Sequence, residues 1–131
     1  MFEQNKILGI GPKMYRKHSR DERYVVGSSS FNTHPHNTYI QLLAETGLTG
    51  FVIFLIFVMT FFYKTIIHFK NLIIGKNHLS DFTICIMAAI FINIWPIIPT
   101  GNFFNNWISI VYYLPLGFYF SSLCQQEKSN S

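Results

Sequence analysis

The sequence predicts an all-α integral membrane protein, with a polar outer segment leading into three transmembrane helices. Three observations carry that expectation. Of the 131 residues, half are hydrophobic, 18% aromatic and only 12% charged, about half the charge of a soluble domain. Fourteen phenylalanines are hard to house in so small a soluble core. Residues 47–63, 82–98 and 103–123 hold no charged side chain, as runs that cross hydrocarbon require.

Residues 1–41 form the outer segment. Gly9, Gly11 and Pro12 predict a turn, residues 14–22 a short helix, and Gly27 with three serines a loop. The segment lacks the apolar stretch of a cleavable signal peptide, so spans upstream are expected to carry it across. Residues 42–124 form the membrane region, with spans over about 42–63, 82–98 and 103–123, and residues 125–131 a polar tail. The first span needs Leu42 and Leu43 to reach the thickness of about 30 Å. Pro96 weakens the second, and Pro115 predicts a kink in the third.

Orientation follows from charge. Lys64, Lys70 and Lys76 face one acid, Asp81, between the first two spans, the excess carried by cytoplasmic loops. Residues 1–41 also hold six Lys/Arg, but none lies between Tyr24 and Tyr63, and charge counts most close to the membrane. Cys85 and Cys124 lie in or beside apolar runs and match no disulfide framework or metal site.

The most informative spacing is His36-Asn37, nine residues, then Gly47-Leu48-Thr49-Gly50, running straight into the first span. Pro35 disfavours helix at His34, so a helix is expected to start at or just after Asn37. Thr38 and Gln41 suggest a capping box. Ile40, Leu43 and Gly47 then share one side of that helix, and Gln41 and Glu45 another. His36 sits just before the helix N-terminus, and imidazole is the side chain suited to move protons near neutral pH. A cap or an interfacial hydrogen bond is its plainer role. Asn37 either orients that imidazole or caps the helix. Glu45, close to the membrane boundary, needs a partner or water; it either holds an arginine from elsewhere or is a simple interfacial acid. Gly47 and Gly50 are expected to permit close helix packing. His18, His34 and His36 do not reach a metal-ligand spacing, so no metal is expected.

The segment THPHNTYIQLLAETGLTGFVIFL, residues 33–55, resembles the C-terminal part of the O-antigen ligase and O-antigen polymerase family. Ile7-Leu8-Gly9-Ile10-Gly11-Pro12 is similar to the family's short L-G-x-G-P turn. The resemblance covers the first half of the chain. It implies a C-terminal fragment of a larger polytopic fold in the bacterial inner membrane, with residues 1–41 on the periplasmic face. It implies glycan transfer from a polyprenyl-pyrophosphate-linked donor to a glycan or lipid A-core acceptor, inverting at the anomeric carbon without metal or cofactor. His36 would assist the acceptor hydroxyl, with Asn37 and Glu45 beside it.

Arg16, Arg20 and Arg23, at i, i+4 and i+7, would contact pyrophosphate or anionic lipid; a solvated face paired by Asp21 and Glu22 is the alternative. Asn102, Asn105, Asn106 and Trp107 suit either a sugar surface or an interfacial anchor. Expected partners are the donor, the acceptor, membrane lipid and the missing N-terminal spans in the same or another chain, with no nucleic acid. Alone, such a piece is expected to be inactive. Ligase and polymerase are both compatible with these residues. The alternative reading is a non-enzymatic small membrane protein, an interaction partner or assembly factor.

Overall fold

A computed structural model describes residues 1–24, 33–76 and 79–130; the loop expected around Gly27 lies outside them. A 3-10 turn at Phe2–Gln4 precedes four helices: α1 Tyr15–His18, α2 Thr38–Ile73, α3 Asp81–Ile94 and α4 Asn106–Asn130. Among the described residues there is no strand.

α2 is two helices joined at Gly47, whose φ of 63° and ψ of −162° interrupt the 36-residue element. Residues 38–46 form an outer rod, and 48–73 a second one about 39 Å long. The second rod runs past Tyr63 and carries Lys64 and Lys70 on helix, where a loop was expected. No glycine or proline breaks it before Gly75 (φ 73°). There Gly75 N–H bonds Leu72 O and Lys76 N–H bonds Asn71 O, the paired closure of a helix that ends on a left-handed glycine.

α3 is shorter than the expected second span. Ser80 caps it, accepting from Thr83 N–H at 3.2 Å. It ends at Ile94 because Trp95 precedes proline and goes extended. Its 14 residues reach about 21 Å, below the roughly 30 Å of hydrocarbon. Two helices, α2 and α4, are long and apolar enough to cross a membrane, rather than the three expected. α4 begins at Asn106 instead of Phe103, because Asn105 caps it: its Oδ1 accepts from Trp107 N–H and its carbonyl from Ser109 N–H. The helix continues through the expected polar tail to Asn130.

Val58 and Phe61 of α2, Ile86, Met87, Ile90 and Ile94 of α3, and Tyr119 of α4 form the core. Outside it, Ile53, Ile56 and Met59 of α2 are each more than 60% exposed, and Leu114 and Phe118 of α4 are exposed too. Apolar surface of that extent is suited to lipid or further helices rather than water.

Candidate functional site: a glycine junction and a histidine pair at the two ends of one short helix

The outer rod of α2 is capped by Asn37, not by Thr38. Asn37 is extended (φ −145°, ψ 122°) and its Oδ1 accepts from Tyr39 and Ile40 N–H at 3.0 and 3.1 Å. Its Nδ2 donates 2.8 Å away to Pro96 O, so one amide both caps α2 and ties down the segment after α3. The Thr38 hydroxyl, freed from capping, pairs with that of Thr100 at 2.8 Å in a buried contact. Gln41 does not close a capping box either; its side chain is buried and reaches Asn102 and Phe103 in the α3–α4 link.

The inner face of this rod is polar. Gln41 and Glu45 are each 1% exposed, while Ile40 is 57% exposed. Glu45 finds no arginine here. Its carboxylate accepts from the backbone N–H groups of Tyr15 (2.7 Å) and Lys13 (3.2 Å) and from Gln41 Nε2 (3.2 Å). A buried carboxylate is tolerated when such donors replace water. The same charge, after burial, pushes the Tyr15 phenol above its ordinary value. Gln41 completes the network: Nε2 also donates to Asn102 Oδ1 at 2.7 Å, and Oε1 accepts from Phe103 N–H at 2.9 Å.

The two sequence motifs meet backbone to backbone. Ile10 and Gly11 N–H donate to Ala44 and Glu45 carbonyls, and Leu48 and Thr49 N–H donate to Lys6 and Ile7 carbonyls. The break at Gly47 frees the carbonyls before it and the N–H groups after it, and the 6–11 turn satisfies both. A Cβ on Gly9 (φ 68°) would lie 2.5 Å from the Glu45 carbonyl carbon and 2.6 Å from Gly47 N. Gly47 therefore serves a turn against residues 7–9 rather than contact between spans. Gly50 faces the Thr46 side chain of its own helix, whose hydroxyl bonds Leu42 O at 2.7 Å.

His36 stands just before the start of the outer rod, exposed, with φ 53°. An L-residue in the left-handed region costs roughly 1–2 kcal/mol, and such outliers gather at functional sites. Thr100 N–H donates to the His36 carbonyl at 2.9 Å. The His34 ring, half-buried, lies 4.1 Å from the His36 ring. Burial, then electrostatic repulsion from the neighbouring His36 ring, holds the His34 pKa below its ordinary value. Among the described residues, no three His, Cys, Asp or Glu side chains converge as a metal site would require.

The expected arginine stripe does not form, because α1 stops at His18. Arg16 and Arg20 instead line an open concavity with Lys13 and Lys17. Arg23 turns to Asp21, its Nε donating to both carboxylate oxygens and Nη2 to Oδ2 at 2.5 Å. Those bonds hold the Asp21 carboxyl down to about 2. Asn102 is spent on Gln41 and on Phe104 N–H, Asn105 caps α4, and Asn106 Oδ1 accepts from Lys13 Nζ at 3.3 Å. Trp107 is 82% exposed.

What the sequence did not single out is the α3–α4 link. Besides Asn37 on Pro96 and Thr100 on His36, Tyr39 OH caps the Ile94 carbonyl. Pro96, Pro99 and Gly101 mark the link as irregular, but no local signal names its partner.

Residues 1–55 match the family model described as O-antigen ligase. The match takes in the 6–11 turn, the histidine pair and the glycine junction, and stops inside the second rod of α2. No curated protein and no protein of solved structure matches the chain.

Proposed function

Because residues 1–55 match the O-antigen ligase family model, we propose that the chain belongs to that family and works as part of a membrane glycosyltransferase on the outer face of the bacterial inner membrane. The family is one of O-antigen ligase-type membrane glycosyltransferases, and the apolar α2 and α4 agree with membrane association. The donor is a glycan on a polyprenyl-pyrophosphate carrier. The acceptor is a sugar hydroxyl, on lipid A core for a ligase or on a growing chain for a polymerase.

The observation that carries the reading is the junction itself. The 6–15 segment interlocks with α2 at Glu45, Gly9 and Gly47 and so braces the helix that begins two residues after the exposed His36. A braced helix start next to an exposed proton acceptor is what hydroxyl activation needs. The acceptor oxygen attacks the anomeric carbon, its proton passes to His36, and the bond from that carbon to pyrophosphate oxygen breaks. Inversion at that carbon follows from a single displacement. Asn37 acts on this step by capping the helix next to the imidazole, and Glu45 by bracing that helix against the Lys13 and Tyr15 amides. The cations of Arg16 and Lys17, in the concavity they line, offer forked and point-charge donors to phosphate.

Topology tests the reading. In a background with Cys85 and Cys124 replaced by serine, a cysteine at Lys17 should react with an impermeant maleimide added to intact spheroplasts. A cysteine at Ile74 should react only after permeabilisation. The reverse pattern puts His36 in the cytoplasm and ends the proposal.

A further inference from the structure

The α3–α4 link lies outside the family match, yet it makes the closest contacts with the backbone around His36. It is anchored on the α4 side, where Tyr112 OH accepts from Gly101 N–H at 3.2 Å and Ser109 Oγ donates to Phe103 O at 2.9 Å. On the α2 side it meets His36 O, Asn37 Nδ2 and the Thr38 hydroxyl. Thr100 is the residue that makes two of these three contacts, and it is 9% exposed.

We propose that Thr100 is a positioning residue for His36: its N–H on the His36 carbonyl and its hydroxyl on Thr38 hold the left-handed residue ahead of α2 and so fix the direction of the imidazole. The inference rests on the transfer reading only for its kinetic consequence; the positional claim stands on geometry. His36 lies between Pro35, with its own φ fixed, and Asn37, locked by its cap. Left alone, a non-glycine residue at φ 53° relaxes toward the extended or right-handed wells. That rotation would swing the Cα–Cβ bond and carry the ring away from its place. The hydrogen bond to the His36 carbonyl opposes it, and the buried hydroxyl pair holds Thr100 in line to make that bond. Strain of this kind persists where surrounding contacts over-determine it.

The test uses the full chain in native membranes and four variants: Thr100→Val, Thr38→Val, the double Val variant and Thr100→Ser. Each single Val strands one buried hydroxyl, whereas the double variant removes both and restores stability. Positioning and stability therefore separate. In both single variants and in the double one, kcat for transfer from the lipid-linked glycan should fall about tenfold, with KM within about twofold, as expected for a misplaced group. Thr100→Ser should restore kcat. Carbethoxylation of His36 by diethyl pyrocarbonate, read by mass spectrometry, should change rate in the Val variants and return in Thr100→Ser. Wild-type kcat and wild-type labelling in the double variant overturn the proposal. So does a loss that only follows the amount of folded protein. Altered His36 labelling with unchanged transfer supports the positional claim and removes His36 from the reaction instead.

Discussion

Gly9 and Gly47 touch through their backbones. Each has a left-handed φ, 68° and 63°, and a Cβ built on either one lies 2.6 Å from the other's amide nitrogen. Between them runs the exchange of hydrogen bonds that closes the 6–11 turn onto the break in α2. The motif glycines thus have a common cause, and it lies in the backbone rather than in helix packing.

Alanine at either position should be severe. The left-handed conformation and the backbone clash together should cost on the order of 3 kcal/mol or more. Gly75→Ala is the control. Its φ is 73° but nothing lies within 4 Å of its Cβ position, so about 1–2 kcal/mol is expected. Thermal unfolding in detergent should rank Gly9→Ala and Gly47→Ala well below Gly75→Ala. Gly50→Ala would bring its Cβ within 2.5 Å of Thr46 Cβ, which no side-chain rotation moves, so the backbone must shift and the loss should also exceed that of Gly75→Ala.

Glu45→Gln keeps size but turns one acceptor into a donor facing the Lys13 and Tyr15 amides. A loss of about 2 kcal/mol is expected, from a charge-assisted bond removed inside the fold. Hydrogen exchange should accelerate at the Lys13 and Tyr15 amides first. Unchanged protection there would mean the carboxylate does not hold the turn.

Asn37 has two duties that substitution can divide. Asn37→Asp retains the cap acceptor and loses the donor to Pro96 O, so α2 should stay capped while the α3–α4 link loosens. Asn37→Ala loses both, at about 1–2 kcal/mol for the cap alone. Exchange at Tyr39 and Ile40 amides distinguishes the two variants.

His34 should titrate below its ordinary range, and below its own value in His36→Ala, where the repulsion from the neighbouring ring is gone. Because the folded state disfavours protonated His34, its contribution to order is present above the ordinary histidine pKa of 6.5 and is lost as pH falls through it. Histidine ring resonances followed by NMR against pH check both statements. An upward shift of His34 would contradict the burial seen here.

The membrane character and the helix start at Asn37 were legible, because each depends on local composition, proline or a spacing; the break at Gly47 was not, because its partner turn lies some 38 residues upstream and the glycine read as a packing residue. The extent of α2 was not legible either. Lys64 and Lys70 read as a loop by charge, yet the helix simply continues until Gly75 ends it. α3 was overrun because hydropathy ignores that Trp95 must leave the helix ahead of Pro96. Around the site, His36 and its neighbours stood out, but their partners did not. Glu45 read as an acid in need of a partner, and the sequence did not name the two backbone amides it holds 30 and 32 residues away. Thr100 carried no signal, since a threonine in a Pro- and Gly-marked link gives no hint of which carbonyl its N–H will meet. The arginine stripe failed for a simpler reason: a four-residue α1 cannot align residues seven apart.

The central claim is that the exposed His36 imidazole accepts the acceptor-hydroxyl proton during glycan transfer. The most direct measurement is the rate of transfer from a polyprenyl-pyrophosphate-linked glycan in membranes carrying His36→Ala, normalised to protein amount by immunoblot. The account predicts a fall of about 100-fold or more at unchanged protein level. Transfer at the wild-type rate from the same amount of protein would contradict it.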